Sequence, residues 1–195
     1  MNLKNLYGIL ERFASKSGIL ILFILSHTTL LLMMLFTFPQ INDKMGTEAF
    51  DLKPYGYTQS EAIVMIQNLD QTTIDLYVFP QLFLLDVLYP LLLALFLSTV
   101  ILRLSKLIKL KANRFYSNLI FLPFIAMFID YIENLLIWRM ISNPIEESSE
   151  IIKIASLATQ LKGIFTTLSW IVIVILFILW LRNKWFNNKV QSGTT

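Results

Sequence analysis

Residues 121–140 read FLPFIAMFIDYIENLLIWRM, an apolar run that is able to enter a bilayer and yet carries Asp130, Glu133 and Asn134. Residues three and four apart share one face of a helix, so these three side chains form a single polar stripe. An ionised carboxylate at the centre of a membrane helix costs roughly 2.5 kcal/mol or more, and such groups usually face a bundle interior or a watery cavity. The stripe therefore marks a candidate site inside a membrane protein.

The composition points the same way. Of the 195 residues, 56% are apolar and only 15% are charged, as is typical of a multipass membrane protein. The chain has no cysteine and a single histidine, which excludes disulfides, thiolate metal sites and zinc sites built from several imidazoles. No basic tract with interleaved aromatic residues is present, so nucleic acid is not an expected partner. We expect neither a metal nor a cofactor.

Four apolar stretches have about the 20 residues that a helix needs to cross a bilayer; they are residues 17–38, 80–102, 115–138 and 163–181. The first is long for the apolar core of a secretory signal and three more follow it, so we interpret it as a retained helix. Pro39 is expected to end that helix. We predict an all-α protein, a single membrane domain over residues 1–195 that forms an integral membrane four-helix bundle.

The connection at residues 40–79 is the longest polar section. Thr58 and Glu61 fit a capping box, in which each side chain accepts a hydrogen bond from the backbone N–H of the other residue. Apolar residues at helical spacing follow and predict an amphipathic helix that rests on the bundle mouth or on lipid; they are Ala62, Met65, Ile66 and Leu69.

The distribution of Lys and Arg orients the predicted bundle. The N-terminal flank, the 103–114 connection and the C-terminal tail together hold 11 of these residues, whereas the 40–79 and 139–162 connections hold 5. Positive charge is concentrated in cytoplasmic loops. We therefore predict that both termini are cytoplasmic and that the amphipathic helix between the first two spans is extracytoplasmic.

A depth estimate brings the carboxyl groups together. At 1.5 Å per residue, Asp86 lies roughly 9 Å below the outer end of its span, and Asp130 and Glu133 lie roughly 12 and 8 Å below the outer end of theirs. The three acids thus share one level in the outer half of the bilayer. In an antiparallel bundle they are able to line one cavity. The predicted ligand-binding residues are Asp86, Tyr89, Asp130, Glu133, Asn134, His27 and Thr166.

Each of these residues also has a structural interpretation. The acids can form a polar network that only fixes helix pairing. Hydroxyls in membrane helices, such as that of Thr166, most often bond their own backbone or join two helices. His27 can be a hydrogen-bonded interior residue rather than a ligand. The sequence leaves the functional pocket and the structural network both open.

The order of four short motifs resembles that of a known group of proteins. The motifs are Y-T-x-x-E-A (residues 57–62), D-x-x-Y-P (86–90), L-P (122–123) and D-x-x-E-N (130–134). In this order they resemble a group of small, uncharacterised bacterial membrane proteins with four spans. The resemblance covers most of residues 57–140 and implies a location in the bacterial inner membrane. It implies no activity.

Three classes of function fit the sequence. The preferred one is binding, or help in transporting, a cation, proton or amine, because carboxylates without thiolates suit hard cations and ammonium groups. With only four spans, transport is expected to need a homo-oligomer or a membrane partner besides the lipid bilayer. The second is a lipid- or isoprenoid-modifying enzyme that uses Asp/Glu acid–base chemistry, although no nucleophile–base pair or phosphate-binding glycine loop supports it. The third is a structural or accessory membrane subunit.

Overall fold

The computed structural model describes residues 3–108, 118–143 and 149–192, and within these ranges it is helical and contains no strand. The predicted all-α class is confirmed. The α-helices are α1 (Leu3–Phe13), α2 (Lys16–Leu32), α3 (Phe38–Met45), α4 (Gln59–Gln67), α5 (Gln71–Leu76), α6 (Asp86–Leu107), α7 (Leu122–Ser142) and α8 (Ser149–Ser192). Parts of three predicted features lie outside the described residues: the 103–114 connection, the start of the third span and the 139–162 connection.

The first apolar stretch continues beyond Pro39. A π-helical turn, Met33–Thr37, joins α2 to α3, so that one helical path runs over Lys16–Met45. Pro39 stands at the start of α3, directly after this π-helical turn, and the helical path continues past it, so the prediction that it ends the helix is wrong. The path ends instead at Gly46, whose φ of 73° is left-handed and whose N–H donates to the carbonyl of Asn42.

The second apolar stretch also begins earlier than predicted. A helical path runs over Gln71–Leu107, through α5, a π-helical segment at Tyr77–Leu85, and α6. Phe79 interrupts it with an extended backbone, φ −142° and ψ 124°. The ring of the following Pro80 crowds the preceding residue out of helical geometry, which accounts for the break.

Helix α8 is the largest departure from the predicted spans. It begins at Ser149 and runs for 44 residues, so much of the predicted polar connection before residue 163 is helical. Ile152 and Ala155 are buried in a core cluster with Phe50 and Tyr57. This packing stabilises the first turns of α8 and places Lys162 within the helix.

Three helical paths are long and apolar enough to cross a membrane: Lys16–Met45, Gln71–Leu107 and Ser149–Trp185. They indicate a membrane protein. Helix α7 is not among them, because it carries Asp130, Glu133 and Arg139 within its 21 residues. It nevertheless packs against both α6 and α8.

Residues 46–70, here called the 46–70 segment, cover one end of these helices. The capping box of α4 forms as predicted: Thr58 Oγ1 accepts from Glu61 N–H at 3.3 Å, and Glu61 Oε2 accepts from Thr58 N–H at 2.7 Å. Ala62, Met65 and Ile66 are buried in the cluster that also holds residues of α7 and α8. The amphipathic helix therefore rests on the mouth of the bundle, one of the two positions expected for it.

Candidate functional site

A cavity of about 320 Å³ lies among α2, α6, α7 and α8. Its wall is mostly apolar, with Leu93, Leu97 and Met127 among the lining residues. The polar lining residues that bear on chemistry are Asp51, Asp86, Tyr89, Asp130, Lys162, Thr166 and Thr167. Ligand pockets have this character, a largely apolar wall with a few convergent polar groups, and volumes of roughly 300 to 1,000 Å³.

One cation pairs with two of the predicted acids. Lys162 Nζ lies 2.7 Å from Asp130 Oδ1 and 2.7 Å from Glu133 Oε2. The side chains are 17% exposed for the lysine, 9% for Asp130 and 0% for Glu133. Glu133 Oε1 also accepts a hydrogen bond of 2.6 Å from Thr159 Oγ1. These four side chains, here called the Lys162 cluster, join α7 to α8.

Asp86 forms no hydrogen bond or ion pair with the described side chains of the Lys162 cluster. Its side chain is buried, and its Oδ2 has no hydrogen-bond partner among the described residues. Asp51, in the 3-10 turn Phe50–Leu52, lines the same cavity. Asp51 Oδ2 accepts a bond of 2.5 Å from the Tyr77 hydroxyl, while its buried Oδ1 also lacks a partner among the described residues. Two carboxyl groups therefore line one cavity, and within residues 3–108, 118–143 and 149–192 neither forms an ion pair.

The other predicted residues divide between the cavity wall, its surroundings and a separate site. Tyr89 and Thr166 line the cavity. Asn134 is buried behind Asp86 and donates from Nδ2 to the Asp86 backbone carbonyl at 3.0 Å. Asn134 therefore fixes the distance between α7 and the start of α6 rather than lining the space itself.

His27 does not line the cavity. Its Nδ1 lies 2.9 Å from the carbonyl oxygen of Phe23, one turn earlier in α2. Its ring packs against Phe23 at a centroid distance of 4.1 Å and against the edge of Phe96 at 5.9 Å. The predicted role of His27 as a pocket ligand has no support in this geometry, because the ring is turned into an aromatic contact between α2 and α6.

The 46–70 segment closes over the polar end of the cavity. Tyr57 N–H donates to Ser156 Oγ of α8 at 2.8 Å. The preceding Gly56 has a φ of 76°, and a Cβ at this position would collide with the side chains of Ser156 and Gln160. Burial raises the pKa of the Tyr57 phenol, and the nearby Glu133 carboxylate raises it further. The segment therefore approaches α8 closely and carries Asp51 to the cavity.

Two residues of the candidate site, Asp51 and Lys162, are not among the residues predicted from the sequence. Asp51 lies in a loop, where the spacing of residues in the sequence does not indicate which way a side chain points. Lys162 directly precedes the predicted fourth span and was counted in the connection before it. A signal for Lys162 was present: Ile152, Ala155 and Thr159 stand at helical spacing before it.

Neither a metal-binding group of side chains nor a similar known protein identifies the ligand. In residues 3–108, 118–143 and 149–192, no group of three or more His, Asp or Glu side chains is arranged to hold a metal ion. No protein-family model, curated protein or solved structure matches the chain. The chemistry of the cavity itself is therefore the basis for assigning a function.

Proposed function

We propose that this chain is a multipass protein of the bacterial inner membrane, a bundle of four spans whose cavity binds an organic amine or helps to transport it. The resemblance of its motif order to small bacterial four-span proteins supports the location. The observation that carries the function is an excess of acid beside an apolar wall: Asp51, Asp86 and Asp130 line the cavity, and Lys162 is the one basic residue among its described lining residues. Lys162 is also shared with the buried Glu133.

The distribution of side chains around α7 supports its role as a membrane span, the third in chain order, in addition to the three helical paths. Asp130 and Glu133 are buried and paired with Lys162. From Leu122 to Leu135 the exposed residues of α7 are all apolar: Ile125, Phe128, Ile132 and Leu135. The exposed Arg139 follows them in the last turn of the helix, where a long basic side chain is able to reach the membrane interface. Because the two carboxylates are paired inside the bundle, the main cost of inserting the helix is reduced.

Charge balance favours an ammonium ligand. An uncompensated carboxylate is costly to bury, so an acid excess in a cavity requires protons or a bound cation. Among the described lining residues, no group of three or more acids or histidines is arranged to hold a metal ion, and the wall suits a hydrocarbon group. An amine with a small apolar body satisfies both parts of the cavity. Transport of such an amine requires a second copy of the chain or another membrane partner in addition.

Binding is tested with the purified protein in lipid nanodiscs by calorimetric titration with hexylamine and with hexan-1-ol. The two compounds have the same chain length and differ in the charged group. We expect hexylamine to bind at least tenfold more tightly than the alcohol. Equal affinity for the two, or no binding of either, would remove the basis for a cation site.

Topology is tested by labelling, because the chain has no cysteine of its own. Tyr55 is 93% exposed in the 46–70 segment, and Lys184 is exposed near the end of the described side chains. In intact spheroplasts, an impermeant maleimide is expected to label Tyr55→Cys, and Lys184→Cys only after permeabilisation. The reverse pattern would place the termini on the opposite side of the membrane.

A further inference from the structure

We infer that the ammonium group of the ligand binds between Asp51 and Asp86, and not at Asp130 and Glu133; this inference rests on the proposed amine-binding function and names the atoms that recognise the charge. The candidate pair joins a residue of the 46–70 segment to a residue at the start of α6.

The acids of α7 already have a counter-ion. Lys162 Nζ contacts both Asp130 and Glu133 at 2.7 Å, and Thr159 occupies the second oxygen of Glu133. A ligand ammonium at this position has to displace a lysine that is tethered to the same helix bundle and already desolvated. Because an intramolecular cation competes at a high effective concentration, the Lys162 cluster is a poor site for a dilute amine.

Among the described residues, Lys162 forms no ion pair with Asp51 or Asp86, in contrast to Asp130, whose Oδ2 is also without a hydrogen-bond partner. Asp51 Oδ1 and Asp86 Oδ2 are each buried without a hydrogen-bond partner among the described residues. Carboxylate oxygens only accept hydrogen bonds, so each of them needs a donor. The three N–H donors of a primary ammonium supply this, and both side chains line the cavity.

The apolar wall defines the remainder of the ligand. From Asp86, α6 continues along the cavity with Pro90, Leu93 and Leu97, and Met127 of α7 also lines it. The volume of about 320 Å³ is at the lower end for ligand pockets. The site therefore suits a primary amine with a short, unbranched hydrocarbon group, and it excludes ammonium groups that carry three large substituents.

Four variants test the assignment by hexylamine titration in nanodiscs, with hexan-1-ol as the neutral probe and thermal unfolding as the control for folding. They are Asp86→Asn, Asp51→Asn, Glu133→Gln and, as a matched exposed acid, Asp43→Asn. We expect Asp86→Asn and Asp51→Asn each to weaken hexylamine binding at least tenfold without changing hexan-1-ol binding. Glu133→Gln and Asp43→Asn are expected to change hexylamine binding less than threefold.

The outcomes separate the inference from the proposed function. If wild type binds hexylamine selectively but Glu133→Gln weakens it as much as Asp86→Asn, the inference is wrong and the amine-binding function stands. If wild type does not distinguish hexylamine from hexan-1-ol, the proposed function fails and the inference fails with it. Should Asp86→Asn not fold, Asp51→Asn decides alone, because its amide oxygen can still accept the Tyr77 hydrogen bond.

Discussion

Replacing Lys162 by methionine tests whether the Lys162 cluster stabilises the bundle. The change removes an ammonium that lies 2.7 Å from each of two carboxylates whose side chains are 9% and 0% exposed. Removing one partner of a buried ion pair typically costs about 3 to 5 kcal/mol, because the remaining charge stays buried without compensation. Two carboxylates lose their cation here, while the bond from Thr159 to Glu133 remains. We expect a loss of about 3 to 5 kcal/mol in the free energy of unfolding.

The measurement is an SDS titration from mixed micelles, followed by circular dichroism, on wild type and three variants. Lys153→Met removes an exposed lysine from the same helix and is expected to change the free energy of unfolding by less than about 0.5 kcal/mol. The triple variant Asp130→Asn, Glu133→Gln, Lys162→Met removes all three charges. It is expected to recover most of the loss, since uncharged replacements of a buried ion pair are often neutral.

The comparison among these variants shows whether the buried ion pairs stabilise the bundle. If Lys162→Met costs less than about 1 kcal/mol and behaves like Lys153→Met, the ion pairs are not buried as the structure has them. If the triple variant is no more stable than Lys162→Met, the uncompensated acids are not the cause of the loss.

Three further predictions concern the 46–70 segment. Gly56→Ala is expected to cost roughly 1 to 3 kcal/mol in thermal unfolding, because a left-handed φ strains any other residue; a loss no larger than that of Gly8→Ala, where a Cβ meets nothing, would contradict this. Ser156→Ala should cost about 1 to 3 kcal/mol by leaving the buried Tyr57 N–H without its acceptor, and an unchanged melting temperature would refute it. Lys44 and Thr73 hold the pKa of Asp70 below its ordinary value. The stability that Asp70 contributes is therefore complete above pH of about 3.9 and is lost as the pH falls below that value. Asp70→Asn should flatten the acid limb of a pH–stability curve, and an identical limb would exclude this role.

Local spacing was sufficient to predict part of the site. Asp130, Glu133 and Asn134 are separated by three and four residues, which fixes them on one face of a helix whatever surrounds it. The depth estimate then paired this face with Asp86, and the structure places Asp86 and Asp130 on one cavity. The capping box at Thr58 was equally local, since all of its partners lie within three residues.

The remaining features depend on tertiary packing. The depth of a residue along a helix does not specify which way its side chain points around the helix axis. The depth predicted for His27 therefore did not show that its ring packs against Phe23 and Phe96. The direction of the Asp51 side chain depends on the path of a loop that is positioned by the contact of Tyr57 with Ser156. The start of α8 was not predicted, because mean hydropathy detects only helices that are apolar enough to contact lipid. The first turns of α8 are more polar and are stabilised by packing against the 46–70 segment.

The length of α8 makes the position of the Lys162 cluster dependent on the lipid. Residues 163–181 carry no charge and are bounded by Lys162 and Arg182. At 1.5 Å per residue this run spans about 28 Å, close to the roughly 30 Å hydrocarbon thickness of a bilayer. In a thinner bilayer, Lys162 and its two acids rise among the headgroups and become hydrated; in a thicker one, α8 must tilt or draw them into hydrocarbon. We therefore expect the strength of the ion pairs, and the proposed affinity of Asp51 and Asp86 for a cation, to change with the acyl-chain length of the surrounding lipid.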